Sequence, residues 1–276
     1  MKMIAFAIGL LVVCAPALAE SCLTVNRSGE YDLNSSIACS NPVYISSSDV
    51  VFDCQGNSIS SDAQWALVLG AEDFGDYASL SNITVRDCDI ENANSVGVYV
   101  NPNAFSAFSD VSISDSRLDG GSSDYSLFTN LVVGMTIRNV TMTNGFDAVF
   151  TSGLYVVNST AYNRESEDMP SVVQFSGNVT IVNNTIDSLE IDAVTDSVAV
   201  NNVIFGMALD GAHGIQSFGY PSNVNLTVVG NYWTNDAGDG YSDTCFSLFT
   251  DHCWFGYAFG NSQGGADGSP LSVKPF

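Results

Sequence analysis

The sequence predicts an all-β solenoid, in which short strands coil and stack on one another. Three observations carry this. A nine-residue window recurs at intervals of about 25 residues. Within it apolar residues alternate with polar ones, the period of a strand. A repeat of that length with strand alternation and no helical period stacks as coils, because one repeat cannot bury its apolar face alone.

The windows are NITVRDCDI (82–90), DVSISDSRL (110–118), GMTIRNVTM (134–142), GLYVVNSTA (153–161), NVTIVNNTI (178–186), SVAVNNVIF (197–205) and NLTVVGNYW (225–233). DVVFDCQGNSI (49–59) fits with two extra residues before Ile59. The second and fourth places are apolar. The sixth is Asp87, Asp115, Asn139, Asn158, Asn183, Asn202 and Gly230. Asn, Asp and Gly tolerate left-handed backbone angles, so one such residue per coil turns a corner between strands. Stacked coils would place these side chains in an inward ladder, each amide bonding its neighbour. Further apolar strands are expected at 96–100, 148–152, 172–176, 193–197 and 214–218, giving about three strands per coil. A sandwich or barrel would need hairpin dipeptides, and these are rare here.

The pattern resembles the right-handed parallel β-helix of the pectin-lyase-like superfamily over roughly residues 40–235. That fold hosts lyases, hydrolases, adhesins and structural proteins, so the likeness implies architecture and not activity. VVFDCQGNSIS is similar to the opening coil of NosD-like secreted proteins. GNYWTNDAGDGYSDT and the closing DGSPLSVKPF look like the terminal segment of archaeal surface β-helix proteins. This implies an envelope or extracellular role with a metal as a candidate ligand. Copper handling is not implied, since the chain has two His and keeps four Met beyond residue 19.

The other expectations concern the ends and the surface. Met1-Lys2, the apolar run Ile4–Val13 and Ala17-Leu18-Ala19 read as a signal peptide over 1–19, too short to span a bilayer. The mature chain is then secreted or surface-exposed, without membrane insertion. It keeps six basic against thirty acidic residues, a net charge near −24. Nucleic acid is excluded as a partner, because phosphate binding needs a basic footprint. Polyanionic glycans would need a bridging cation. Six cysteines remain, Cys22, Cys39, Cys54, Cys88, Cys245 and Cys253. An even number in a secreted chain suggests disulfides. Fifteen pairings exist, and sequence proximity suggests Cys22–Cys39, Cys54–Cys88 and Cys245–Cys253. Residues 20–45 and 234–276, the latter with Trp254, Phe255, Tyr257 and Phe259, are expected to cap a β-helix over 46–233. Left bare, the ends would allow end-to-end self-association.

Chemistry-bearing residues are few. Asp147 (FDAVF), Asp192 (IDAVT) and His213 (AHGIQ) precede apolar pairs at equivalent places. Stacked about 4.8 Å apart per coil, the two Asp would lie near the carboxylate spacing of inverting glycoside hydrolysis. The layout is similar to polygalacturonases, but Gly211-Ala212-His213-Gly214 replaces Gly-His-Gly, and neither an Asp-Asp pair nor an Arg-x-Lys strand is present. Arg86 and Arg138 are the candidates for a lyase base, and read more simply as surface charges. Asp236, Asp239 and Asp243 around Gly240 partly match a calcium loop, with Ala237 at a ligand place. Thr84, Ser112, Thr136, Tyr155, Thr180, Ala199 and Thr227 form an outward stripe. Of eight Asn-x-Ser/Thr sequons (Asn26, Asn34, Asn82, Asn139, Asn158, Asn178, Asn183 and Asn225), Asn139, Asn158 and Asn183 fall on the inward ladder, where no glycan would fit. The leading expectation is a non-catalytic module binding carbohydrate or another envelope component. It requires no cofactor, with calcium as a candidate ion. The alternative is a polysaccharide-degrading hydrolase, or less readily a lyase, using Asp147, Asp192 and His213.

Overall fold

The structure is a computed structural model. It describes residues 22–70, 79–92, 94–101, 106–121, 125–162, 171–187, 189–192, 194–205, 215–218, 224–229, 231–234 and 252–255. The expected signal peptide, His213, Cys245, the Asp236, Asp239 and Asp243 loop and most of 234–276 lie outside these residues.

The described chain is all-β, and its strands fall into three rows visited in turn. The first row is a ten-stranded sheet that includes Val43–Ile45, Trp65–Leu69, Val96–Val100, Leu127–Asn130, Phe146–Val149, Ser171–Gln174, Leu189–Asp192 and Ile215–Phe218. The second row runs through Val50–Asp53, Ser81–Arg86, Phe108–Asp119, Val132–Met142, Ser152–Val157, Thr180–Val182, Thr195–Val200 and Val224–Val229. The third includes Ser58–Ser61, Asp89–Asn92, Thr160–Ala161, Thr185–Ile186, Val203–Phe205 and Tyr232–Thr234. The two long strands, Phe108–Asp119 and Val132–Met142, belong to both the second and third rows and merge them into one sheet of sixteen strands. Each strand pairs in parallel with the strand of its own row in the next repeat. Ile215–Phe218 departs from this, pairing antiparallel with His252–Phe255. Within the expected cap 20–45, the strands from residue 24 on take the same parallel register, as in Gly29↔Val50, Ile37↔Ile59 and Val43↔Leu67.

Alternation explains the core. Phe52, Val85, Ile113, Ile137, Val156, Ile181 and Ala199 stand in one register column and are fully buried. Ile59, Ile90, Leu118, Met142, Ala161, Ile186 and Ile204 form a second such column. Each large aliphatic side chain removed from water contributes about 1.5–3 kcal/mol.

Corners use left-handed residues twice per window. The first place has positive φ at Asp49, Asn82, Asp110, Gly134, Gly153, Asn178 and Asp196. The sixth has it at Asp87, Asp115, Asn139, Asn158, Asn183 and Asn201. The first-place residues are 33 residues apart from Asp49 to Asn82 but only 18 from Asn178 to Asp196, with the register unbroken. A third corner, after the first row, is left-handed at Asn101 and then at Leu131, Phe150 and Phe175, which are costlier there than Asn. Phe150 and Phe175 stack on each other at 5.2 Å on the surface.

Three expectations are corrected here. The sixth-place residues Asp87, Asp115, Asn139, Asn158 and Asn183 are exposed, not a buried ladder. A left-handed residue at a convex bend points its side chain outward, and the next residue points in. The ladder therefore lies one position on: Ser116, Ser159, Asn184, Asn202 and Asn231 are buried. Ser159 N–H donates to Asn184 Oδ1 (2.8 Å), Asn184 N–H to Asn202 Oδ1 (2.9 Å) and Asn202 N–H to Asn231 Oδ1 (3.0 Å). The amide groups donate back to main-chain carbonyls, Asn184 to Val156 and Asn202 to Ile181, both at 3.0 Å. The repeat expected over 197–205 begins one residue earlier, at the left-handed Asp196. Its corner is Asn201, and Asn202 is the ladder residue. The strand expected over 193–197 instead straddles a corner, and the first-row strand there is Leu189–Asp192.

Two of the suggested disulfides form, Cys22–Cys39 and Cys54–Cys88, with Cα–Cα separations of 5.6 and 4.8 Å. Cys88 occupies the ladder position of its repeat, and its N–H donates to Ser116 Oγ at 3.0 Å. The suggested partner of Cys253, Cys245, lies outside the described residues.

Candidate functional site

The first row presents two register columns on the side away from the core. One holds Tyr99, Phe128, Asp147 and Val172, and the other Asn130, Val149 and Gln174. Alternation places them there. Leu127, Thr129, Ala148 and Val173 face the core and are buried, so their sequence neighbours face away. The next strand continues the register with Glu190 opposite Val172 and Asp192 opposite Gln174.

Three half-buried aromatic rings run toward Asp147. Trp65 and Tyr99 meet edge to face at 5.1 Å, and Tyr99 and Phe128 at 5.0 Å. Such pairs contribute about 0.5–1.5 kcal/mol beyond their buried area. Phe128 is the register partner of Asp147. Asp147 is only 7% exposed, and its Oδ1 is buried without a hydrogen-bond partner. Oδ1 of Asn130, in the adjacent column, is buried and unpartnered in the same way. Burial disfavours the carboxylate and pushes the Asp147 pKa up to about 6, against a hydrogen bond from the Gln174 side chain that lowers it. The Tyr99 phenol is raised too, first by burial and then by the Asp147 charge.

The raised pKa has a consequence for stability. A carboxyl ionising near 6 when folded and at 3.8 otherwise holds more protons in the folded state between those values. Stability therefore falls as pH rises through that window, by up to about 3 kcal/mol. Asp147→Asn is expected to flatten this fall and to be more stable than wild type at pH 7.5. Chemical denaturation at pH 3.5 and 7.5 measures it; parallel pH profiles for the two proteins would show that Asp147 is not buried ionised.

Asp147 and Asp192 do not share a column. Asp192 lies opposite Gln174, and the residue in line with Asp147 is Glu190. Two strands across and two residues along, Asp147 and Asp192 are about 12 Å apart at the backbone. Sequence reasoning passed over Glu190, although Leu-Glu-Ile-Asp (189–192) alternates cleanly. The adjacent Ala-Val-Thr attracted the alignment instead. His213 lies outside the described residues.

Arg86 pairs with Asp53 at 2.8 Å and Arg138 with Asp115 at 3.4 Å on the exposed face of the second row. The hydroxyl stripe keeps Thr84, Ser112, Thr136, Tyr155 and Thr180 in register, but Val198 follows, not Ala199, which faces the core. Asn139, Asn158 and Asn183, expected to be buried, are exposed, so the fold leaves room for a glycan at each. Among the described residues no group of three metal-ligating side chains occurs. No family model, curated protein or solved structure matches this chain.

Proposed function

We propose that the chain is a right-handed parallel β-helix that works outside the cytoplasm and binds carbohydrate on the outer face of its first row, without turning it over. The observation that carries this reading is the aromatic row Trp65, Tyr99, Phe128 ending at buried Asp147. Aromatic side chains offer apolar faces to sugar rings, and a few fixed polar groups set their orientation. The parallel rows with left-handed corners support the β-helix, and two disulfides favour an oxidising compartment. The partner is a glycan or another envelope component, no cofactor is required, and calcium at Asp236, Asp239 and Asp243 belongs to the same reading. Free ends of the stack would support end-to-end self-association.

One observation favours a second reading. A carboxyl that ionises near 6 is suited to general acid catalysis. In a hydrolase Asp147 would be that acid, with Glu190 in its register line and Asp192 and His213 as the further candidates. Glycan-array binding and a reducing-sugar assay with an unsaturated-product readout, run on the mature protein with and without calcium, separate the two. Binding without turnover is expected. Turnover abolished in Asp147→Asn would establish the hydrolase instead.

A further inference from the structure

We propose that Asp147 and Asn130 form a subsite for a protonated amine, and that the ligand is a glycan bearing free amino groups. This rests on the carbohydrate-binding reading and names the substrate class of that site. Its basis is the chemistry of the two unpartnered atoms. Asp147 Oδ1 and Asn130 Oδ1 are both acceptors, both buried, and on adjoining strands of one face. A native fold rarely leaves buried polar atoms unpaired, so each such atom marks a place for a donor from outside the chain, a water or a ligand group.

Three ligand chemistries could partner these two acceptors. A sugar hydroxyl donates once and brings lone pairs that need donors of their own. It also leaves a buried carboxylate uncompensated. A metal ion prefers several oxygen ligands, and no group of three candidate side chains occurs among the described residues. An ammonium has three donors and no acceptor, and its charge opposes that of the carboxylate. The flanking aromatic rings suit it as well, since ring faces attract cations. Tyr99 and Phe128 are the rings nearest Asp147 in the column. The whole chain carries a net charge of −23, which raises the local concentration of cationic ligands and repels polyuronates.

Proton linkage gives the subsite a signature. The groups facing Asp147 from the flanking strands are Phe128, Val172 and Gln174, all uncharged. Tyr99 is the titratable neighbour, and it stays protonated throughout the range that matters. Glu190 lies two strands along the same column. The ammonium binds the ionised carboxylate, so affinity rises with pH through the Asp147 pKa of about 6. It falls again where the ligand amine loses its proton.

Calorimetric titration with a glucosamine hexamer and an N-acetylglucosamine hexamer tests this. The free-amine hexamer is expected to bind at least tenfold more tightly. Its affinity should be roughly eightfold higher at pH 6.5 than at pH 5. Asp147→Asn should lose about tenfold and the pH dependence with it, and Asn130→Ala a few-fold. Equal binding of the two hexamers would overturn the amine subsite while leaving carbohydrate binding intact. Undiminished binding by Asp147→Asn would overturn it in favour of general attraction to an acidic surface. If neither hexamer binds but another glycan on the array does, the amine proposal alone falls. If no glycan binds, the carbohydrate reading falls as well.

Discussion

Asn202→Ala is expected to destabilise the protein by about 4 kcal/mol, a large part of the stability of an ordinary domain. Asn202 makes four side-chain bonds at the buried corner. Its Oδ1 accepts from Asn184 N–H (2.9 Å) and Asn184 Nδ2 (3.1 Å). Its Nδ2 donates to Ile181 O (3.0 Å) and Asn231 Oδ1 (2.9 Å). Alanine removes all four bonds in a site that water does not reach; Asn231 Oδ1 keeps the Asn202 N–H and Asn184 Nδ2 keeps Val156 O, so Asn184 N–H and Ile181 O bear most of the loss. Each orphaned group costs about 1–3 kcal/mol, partly relieved by relaxation. The neighbouring Asn201 is the control. It is exposed, with φ of 55°, so Asn201→Ala should lose only about 1 kcal/mol of left-handed preference. Urea midpoints of the two variants decide between the positions. If Asn201→Ala proved the more damaging, the inward ladder would have been placed on the wrong residue.

Removing the Cys54–Cys88 disulfide should cost a similar amount. The bond closes a loop with a sequence separation of 34, and restricting that loop in the unfolded chain is worth about 4 kcal/mol. Both cysteines are buried, Cys54 fully, and they join the corners between the second and third rows of neighbouring repeats. The paired variant Cys54→Ala/Cys88→Ala keeps apolar side chains there and isolates the loop effect. Urea unfolding of this variant, and of wild type under reductant, should show matching losses. A loss below about 1 kcal/mol would mean that residues 54–88 stay ordered in the unfolded ensemble.

Most of the architecture was legible because alternation and spacing are repeated. Seven windows each named the same strand, and one lapse in register, at 197–205, could not hide the pattern. The lapse itself is instructive. Asn201-Asn202 offers two identical residues, and only the backbone distinguishes the one that turns the corner from the one that bonds inside. The same ambiguity sent the ladder to Asn183 instead of Asn184. Val140 shows that the ladder place does not even require a polar residue, so type alone could not locate it. The candidate site was half legible. Asp147 stood out as an acid beside an apolar pair, but its burial and its unpartnered oxygen depend on neighbours contributed by other strands. Its alignment with Glu190 and not Asp192 depends on a two-residue shift of register that no local signal marks. The aromatic row was missed because Trp65, Tyr99 and Phe128 are far apart in sequence and meet only through the stacking of three strands.

The uneven corner spacing, 33 residues at one repeat and 18 at another, bears on how such a chain can change over time. Every strand answers only to its counterpart in the adjoining repeats. A segment inserted at a corner therefore lengthens one circuit without disturbing the alternation of any strand. One residue inserted within a strand would turn every later side chain of that strand to the opposite face. Variation is thus channelled to the corners, beside the outward columns. Such a chain can acquire new ligands by lengthening its bends while its interior stays as it is.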